Sequence, residues 1–204
     1  MGITLDSTLT FKKHIKKTQN TLKYNIANFR HIRNSLTTQA AKTYLHAVIL
    51  PYILYCVSSW SQADKTTLNP IRSLYNQALK VMDRKPRRYH HCHILEKHKL
   101  LSLDNLIIYS NIRLVHKIIH GAAPPPLKAF VQLRSDAMSR TSRSTSRGDC
   151  DIPKRTSDFS KSAFSSKAIP KWNDLPDHIK ILTSYQDFSR EAKNSLISNQ
   201  VCCH

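Results

Sequence analysis

Phe11–Arg33 reads FKKHIKKTQNTLKYNIANFRHIR, and its spacing decides the fold. Phe11, Ile15, Leu22, Ile26 and Phe29 recur at intervals of three, four and seven residues, the pattern of one face of an α-helix. Lys12, Lys13, Lys16, Lys17, Lys23, Arg30 and Arg33 fall mainly on the rest of the circumference, and the nearest acid is Asp6. A helix with this pattern must bury its apolar stripe against other elements, and the flanking sequence supplies them.

On the C-terminal side, Thr37-Thr38 offers a capping hydroxyl for a second helix carrying Tyr44, Leu45, Val48 and Ile49. Pro51 is expected to kink or end it, because proline lacks a backbone donor and crowds the preceding turn. Asn69-Pro70 reads as a cap followed by proline at the first helical position, with Ile71, Leu74, Ala78 and Val81 as the buried stripe. Another helix is expected from Leu103 to His120, apolar at Leu103, Ile107, Leu114, Val115 and Ile118 and stopped by Gly121. Toward the N-terminus, Ile3 and Leu5 alternate with Thr4 and Asp6, which suggests a short strand before a turn at Asp6–Ser7.

The sequence changes character at Arg134–Ser157, RSDAMSRTSRSTSRGDCDIPKRTS, which has almost no large apolar residues to offset the entropy of ordering. It is expected to be a flexible basic linker. Beyond it, Phe159, Phe164, Ile169, Trp172 and Leu175 form a small apolar patch, and Ser184 with Asp187 resembles a capping box for a last helix. That tail is too small to fold alone and is expected to dock on the body. The expectation is therefore a mainly α chain: a short β-strand over 1–10, a helical bundle over 11–133, a basic linker over 134–157 and a small helical tail over 158–204.

Lys and Arg number 32 against 13 Asp and Glu, a net charge of +19 on 204 residues, which favours a polyanionic partner. The longest apolar stretch, 47–57, is shorter than the ~20 residues a membrane span needs, and no secretory leader pattern is present. Five cysteines, Cys56, Cys92, Cys150, Cys202 and Cys203, form an odd and scattered set that fits reduced intracellular thiols, so a nuclear or cytoplasmic location is expected.

Three patches occur in a fixed order: GITLDSTLTFKKHI (Gly2–Ile15), HGAAPPPL (His120–Leu127) and KAIPKWNDLP (Lys167–Pro176). Between the first two lie LPYILYCVSSW (Leu50–Trp60) and RRYHHCHILEKHKLLSL (Arg87–Leu103). Together they resemble the C-terminal part of a non-LTR (LINE-type) retrotransposon reverse transcriptase, over most of residues 2–197. The resemblance implies that 1–10 is a palm-edge strand and 11–133 a thumb-like body gripping template–primer nucleic acid through phosphates. It also implies that the catalytic aspartates of the polymerase lie upstream of this chain, so no catalytic residue and no cofactor is expected here. Rival readings are a freestanding RNA- or DNA-binding adaptor and a zinc-dependent interaction module.

The candidate contacts to an RNA–DNA hybrid, RNA or DNA are Lys12, Lys13, Lys16, Lys17, Lys23, Arg30 and Arg33, plus the loop Arg84, Lys85, Arg87 and Arg88. Lysines at helical spacing meet successive phosphates, and arginine forks suit phosphate oxygens. His90, His91, Cys92, His93 and His98 invite a metal, but no second ligand pair lies nearby, and a histidine-rich basic loop is the better reading. Trp60 and Trp172 are expected to pack the core.

Overall fold

The computed structural model describes residues 2–137, 147–152, 154, 156–157 and 161–200, with the backbone alone for 136 and 137. Its packing divides it into two units, Met1–Asp104 joined by Gln200, and Asn105–Asn199.

The first unit is built on α1 (Lys12–Ile32), which packs chiefly against α5 (Lys65–Met82). All five stripe residues of α1 are buried, and Leu22 and Phe29 are fully enclosed. A 3₁₀ turn at Arg33–Ser35 leads to α2 (Thr38–Tyr44), whose cap is Thr37, the Oγ accepting from the Ala40 amide at 3.2 Å. Leu45 and Ile49 enter the core, and Tyr44 stacks on Phe29 with ring centroids 4.5 Å apart. Each enclosed large side chain contributes roughly 1.5–3 kcal/mol.

Pro51 does not end this helix. The ladder widens into a π-helical turn over Leu45–Ile49 and continues as α3 (Leu50–Leu54). The wider turn is a known way of accommodating a residue that lacks its own N–H. After Cys56, in the left-handed conformation (φ 48°), the short α4 (Val57–Trp60) buries Trp60, whose indole N–H donates to the Tyr55 carbonyl at 2.9 Å.

Helix α5 begins five residues earlier than Asn69-Pro70 suggests. Asp64 is the cap: its carboxylate accepts from the Thr67 amide at 2.6 Å and the Thr66 hydroxyl at 2.9 Å. These bonds, led by those of Thr67, hold the Asp64 carboxyl below its usual range. Pro70 lies inside the helix, where its missing donor costs one ladder bond. Ile71, Leu74 and Ala78 are buried as expected, but Met82 rather than Val81 completes the stripe. The Tyr75 hydroxyl donates to the Leu101 carbonyl at 2.8 Å, and burial pushes its phenol well up. Helix α6 (His91–His98) is tied to the end of α5 by Asp83, which accepts from Lys97 Nζ and His98 Nε2 at 2.9 and 2.8 Å. Burial raises the Asp83 carboxyl, but those two bonds and charges outweigh it and leave the group below its ordinary value.

The expected strand over residues 3–6 is absent. Among the described residues nothing pairs with it, and alternation without a partner ladder does not make a strand; the Thr4 amide instead donates to His14 Nδ1 at 3.4 Å.

The second unit takes up α7 (Leu103–Ile119), which stops as expected before Gly121 (φ 72°). A 3₁₀ segment, Pro125–Phe130, and the short α8 (Arg134–Ala137) follow. Then come α9 (Phe164–Asn173), α10 (Asp177–Lys180) and α11 (Tyr185–Ser198), the last capped by Ser184 Oγ accepting from the Asp187 amide. Ile112, Val115 and Ile118 of α7 join Ile169, Trp172, Leu175, Ile179 and Phe188 in one core.

Part of the expected linker belongs to this core. Leu133 and Cys150 form an antiparallel bridge, and the Asn173 side chain bonds both ways to the Cys150 backbone at 2.9 and 3.0 Å. The Trp172 indole N–H donates to the Gly148 carbonyl at 3.0 Å, and Lys180 Nζ meets Asp149 at 2.7 Å. Polar backbone pairing, not apolar content, orders 147–152. Residues 138–146, and with them most of the Ser/Arg run, lie outside the described residues, as do Phe159 and Cys202-Cys203.

Candidate nucleic-acid interface

The start of α1 is set by a turn centred on Asp6. Its carboxylate accepts from the Thr10 amide (2.7 Å), the Thr10 hydroxyl (3.0 Å) and the Thr8 hydroxyl (3.1 Å), and the Thr10 amide bond leads in lowering its pKa. The acid nearest the lysine cluster in sequence is thus engaged in shaping the turn, and Asp64, whose carboxylate also feels the charge of Lys12, is engaged as the cap of α5. Phe11 enters α1 in the left-handed conformation (φ 57°) with its ring buried, which turns Lys12 and Lys13 outward.

At ~100° per residue, Lys12, Lys16, Lys23 and Arg30 lie within about 40° of one another, separated by ~6, ~10 and ~10 Å along the axis. All four are exposed, as are Lys13 and Lys17 on the adjoining flank. Helix α1 contains no acid. Tyr24, 68% exposed, stands among the lysines of that flank as a flat apolar face, a feature the charge pattern alone did not single out. Beneath them His14 is buried against Trp60, ring centroids 6.1 Å apart; burial first, then Lys17, lowers its pKa.

Arg33 departs from the expected role. It is 5% exposed, and its guanidinium donates to Met82 O (2.8 Å), Val81 O (3.2 Å) and Leu36 O (2.8 Å). Its Nε satisfies the Met82 carbonyl at the end of α5 and its Nη1 the Leu36 carbonyl, so Arg33 fastens the fold, and its burial keeps the guanidinium from the surface where a phosphate would sit. Arg84 (φ 52°) does similar work from the surface, one nitrogen reaching the carbonyls of Arg33, Asn34 and Leu36 at 3.2–3.4 Å. Arg87 and Arg88 are exposed, and Lys85 sits over the Tyr89 ring at 4.8 Å.

Two clusters distant in sequence meet here. Arg30 at the end of the α1 stripe and Lys85 with Arg87 from the loop line one open groove of about 590 Å³. Its remaining wall is the polar face of α5: Asn69, Arg72, Ser73, Asn76, Gln77 and Lys80, with Val81 at one end. None of these α5 residues was a candidate from sequence. The available signal was the run of amides and cations opposite the apolar stripe, with no acid in the helix.

His90, His91 and Cys92 are brought together, their donor atoms within 4.8 Å of one another; among the described residues no other set of three His, Cys, Asp or Glu does this. His93 and His98 do not join them, and His98 is committed to Asp83. Burial, then the charges of His90 and Lys80, lowers the His91 pKa. Three consecutive donors present one face to a soft ion, in a cationic neighbourhood that opposes a further positive charge.

Among the described residues no helix is long and apolar enough to cross a membrane. No family model and no solved structure matches the chain. It is similar to a "Probable RNA-directed DNA polymerase from transposon BS" of Drosophila melanogaster, 33% identical over 86 residues, which are 40% of this chain and 9% of that protein.

Proposed function

We propose that this chain is a non-catalytic, thumb-like part of a retrotransposon reverse transcriptase, and that its first unit holds template–primer nucleic acid by the phosphate backbone. The observation that carries the reading is the acid-free row of Lys12, Lys16, Lys23 and Arg30, continued by Lys85 and Arg87 across the groove. A partial similarity to a transposon RNA-directed DNA polymerase supports the same direction. Phosphate contacts of this kind position a duplex without reading its sequence. The interface residues are Lys12, Lys13, Lys16, Lys17, Lys23, Arg30, Lys85, Arg87 and Arg88; Arg33 and Arg84 support them from the scaffold.

The test is a fluorescence-anisotropy titration with an RNA–DNA hybrid at several salt concentrations. A grip on about four phosphates gives a slope of log K against log salt near −3 to −4. Neutralising Lys12, Lys16 and Lys23 to Gln flattens it by ~0.9 for each phosphate no longer neutralised. Binding that ignores these replacements, or no binding by folded protein at low salt, sinks the proposal.

A further inference from the structure

The α1 row and the groove beside it differ in chemistry. The row offers only cations. The groove sets cations at its rim, Arg30, Lys85 and Arg87, against an α5 wall of three amides and a hydroxyl interleaved with Arg72 and Lys80. Asn69, Ser73 and Asn76 share one side of that helix, with Gln77 adjoining, at spacings of three and four residues.

A phosphate oxygen only accepts hydrogen bonds. An amide side chain both donates and accepts, so a wall of amides is poorly used on phosphate alone. Base edges and the ribose 2′-hydroxyl present donors as well as acceptors, and they suit such a wall. In an A-form duplex the deep major groove hides base edges from side chains, whereas a single strand can turn them outward. We infer that the groove between α1, α5 and the loop before α6 seats single-stranded RNA, its phosphates on the rim cations and its sugars and base edges on Asn76 and Gln77.

The seat is preformed. Arg72 is held by Asp104, through Nη2 at 2.7 Å and Nε at 3.3 Å, and its Nη1 donates to the Asn69 side-chain Oδ1, which leaves the Asn69 NH₂ as a donor. Lys80 Nζ donates to the Arg87 carbonyl at 2.7 Å and so pins the loop against α5. A site already held in shape loses less entropy on binding. Its volume falls in the ordinary range for sites that enclose a small organic group, so a nucleotide unit fits within it. Tyr89, under Lys85 on the same loop, offers a ring on which a neighbouring base can stack.

This inference rests on the proposed nucleic-acid grip and adds discrimination of RNA from DNA to it. The experiment uses the full chain with labelled single strands of about ten nucleotides, one sequence synthesised as RNA, as DNA and as 2′-O-methyl RNA. The expected result is RNA bound about tenfold more tightly than DNA, a gain of the size that hydrogen bonds to polar groups give, with the methylated strand close to DNA. N76A/Q77A removes the RNA preference while leaving the salt slope, helical circular dichroism and tryptophan emission unchanged. Equal affinity for RNA and DNA in the parent protein overturns the inference but leaves the phosphate grip intact. So does a preference that survives N76A/Q77A. No binding of any strand at low salt overturns both.

Discussion

Lys16 and Lys180 carry the same ammonium group on opposite kinds of surface. Lys16 lies exposed on α1, in a row without a carboxylate. The side chain of Lys180 is 2% exposed, with Nζ bonded to Asp149 at 2.7 Å and to the Asn173 carbonyl at 3.0 Å. The acids follow suit. In the first unit Asp6, Asp64, Asp83 and Asp104 cap turns or tie elements together; Asp64 feels Lys12, and the rest of the row is left unbalanced. In the second, Asp149 is drawn inward with its lysine and fastens an otherwise apolar-poor segment to the core. A basic composition therefore serves two ends, display in one unit and anchoring in the other, and only the location of the acids separates them.

The comparison breaks most visibly at Trp172. Trp172→Ala removes the largest side chain of the second core and is expected to cost ~3–5 kcal/mol. Trp60 then remains as the sole tryptophan and reports on the first unit in urea. A Trp60 transition at an unchanged midpoint shows that the two units unfold separately; a midpoint that falls with the second core shows them to be one cooperative system.

Asp149→Ala leaves buried Lys180 with only the longer carboxylate contact to Asp177 at 3.5 Å and is expected to cost ~3 kcal/mol. The double replacement Asp149→Leu with Lys180→Met restores most of that loss if the pair is a fastener, because apolar substitutes for a buried ion pair are often neutral. Continued loss in the double variant, read by urea denaturation, would argue against that role.

Arg33→Met sharpens the contrast inside the first unit. It strands the Met82 carbonyl at the end of α5, with an expected cost of ~2 kcal/mol. Nucleic-acid affinity of the folded variant should keep the salt slope of the parent.

A smaller effect distinguishes the buried imidazoles. His116 packs against Phe188, Trp172, Tyr185 and His120, donates from Nε2 to the Leu182 carbonyl at 2.8 Å, and has no partner at Nδ1 among the described residues. Burial, joined by His120 and opposed by the Leu182 bond, lowers its pKa. The unfolded chain binds that proton more readily, so the stabilisation is complete above about pH 6.5 and is lost as pH falls through the folded value. Urea midpoints followed at Trp172 in a Trp60→Phe background should drop between pH 7.5 and pH 5, and less so when His116→Gln is added. An unchanged midpoint would place the charged imidazole in the fold without cost.

Lys16→Gln should alter stability by less than ~0.5 kcal/mol. It should nevertheless reduce the magnitude of the salt slope by ~0.9.

The α1 stripe, the Thr37 and Ser184 caps and the Gly121 stop were legible in the sequence because they depend on residues within one or two turns of each other. The Asn69-Pro70 start misled for the same reason: Asp64 offers a complete cap only a few residues earlier, and a helix starts at the first site that satisfies its free amides. The α5 wall of the groove was missed because a polar helix face reads as solvated surface until something faces it. Arg30 gains that significance only when Lys85 and Arg87 arrive from a loop more than fifty residues away.

By itself the sequence determined a mainly helical chain with two buried tryptophans and a cationic first helix, since periodicity and capping are local and charge is additive. Tertiary structure alone decided which cations are displayed. Arg33 and Lys16 differ little in composition or local pattern, but Arg33 is drawn under the surface, its Nε bonded to carbonyls 48 and 49 residues distant, whereas Lys16 stays exposed. It likewise decided that 147–152 is knit into a core and not left as linker, because backbone groups find partners there that no count of apolar residues anticipates.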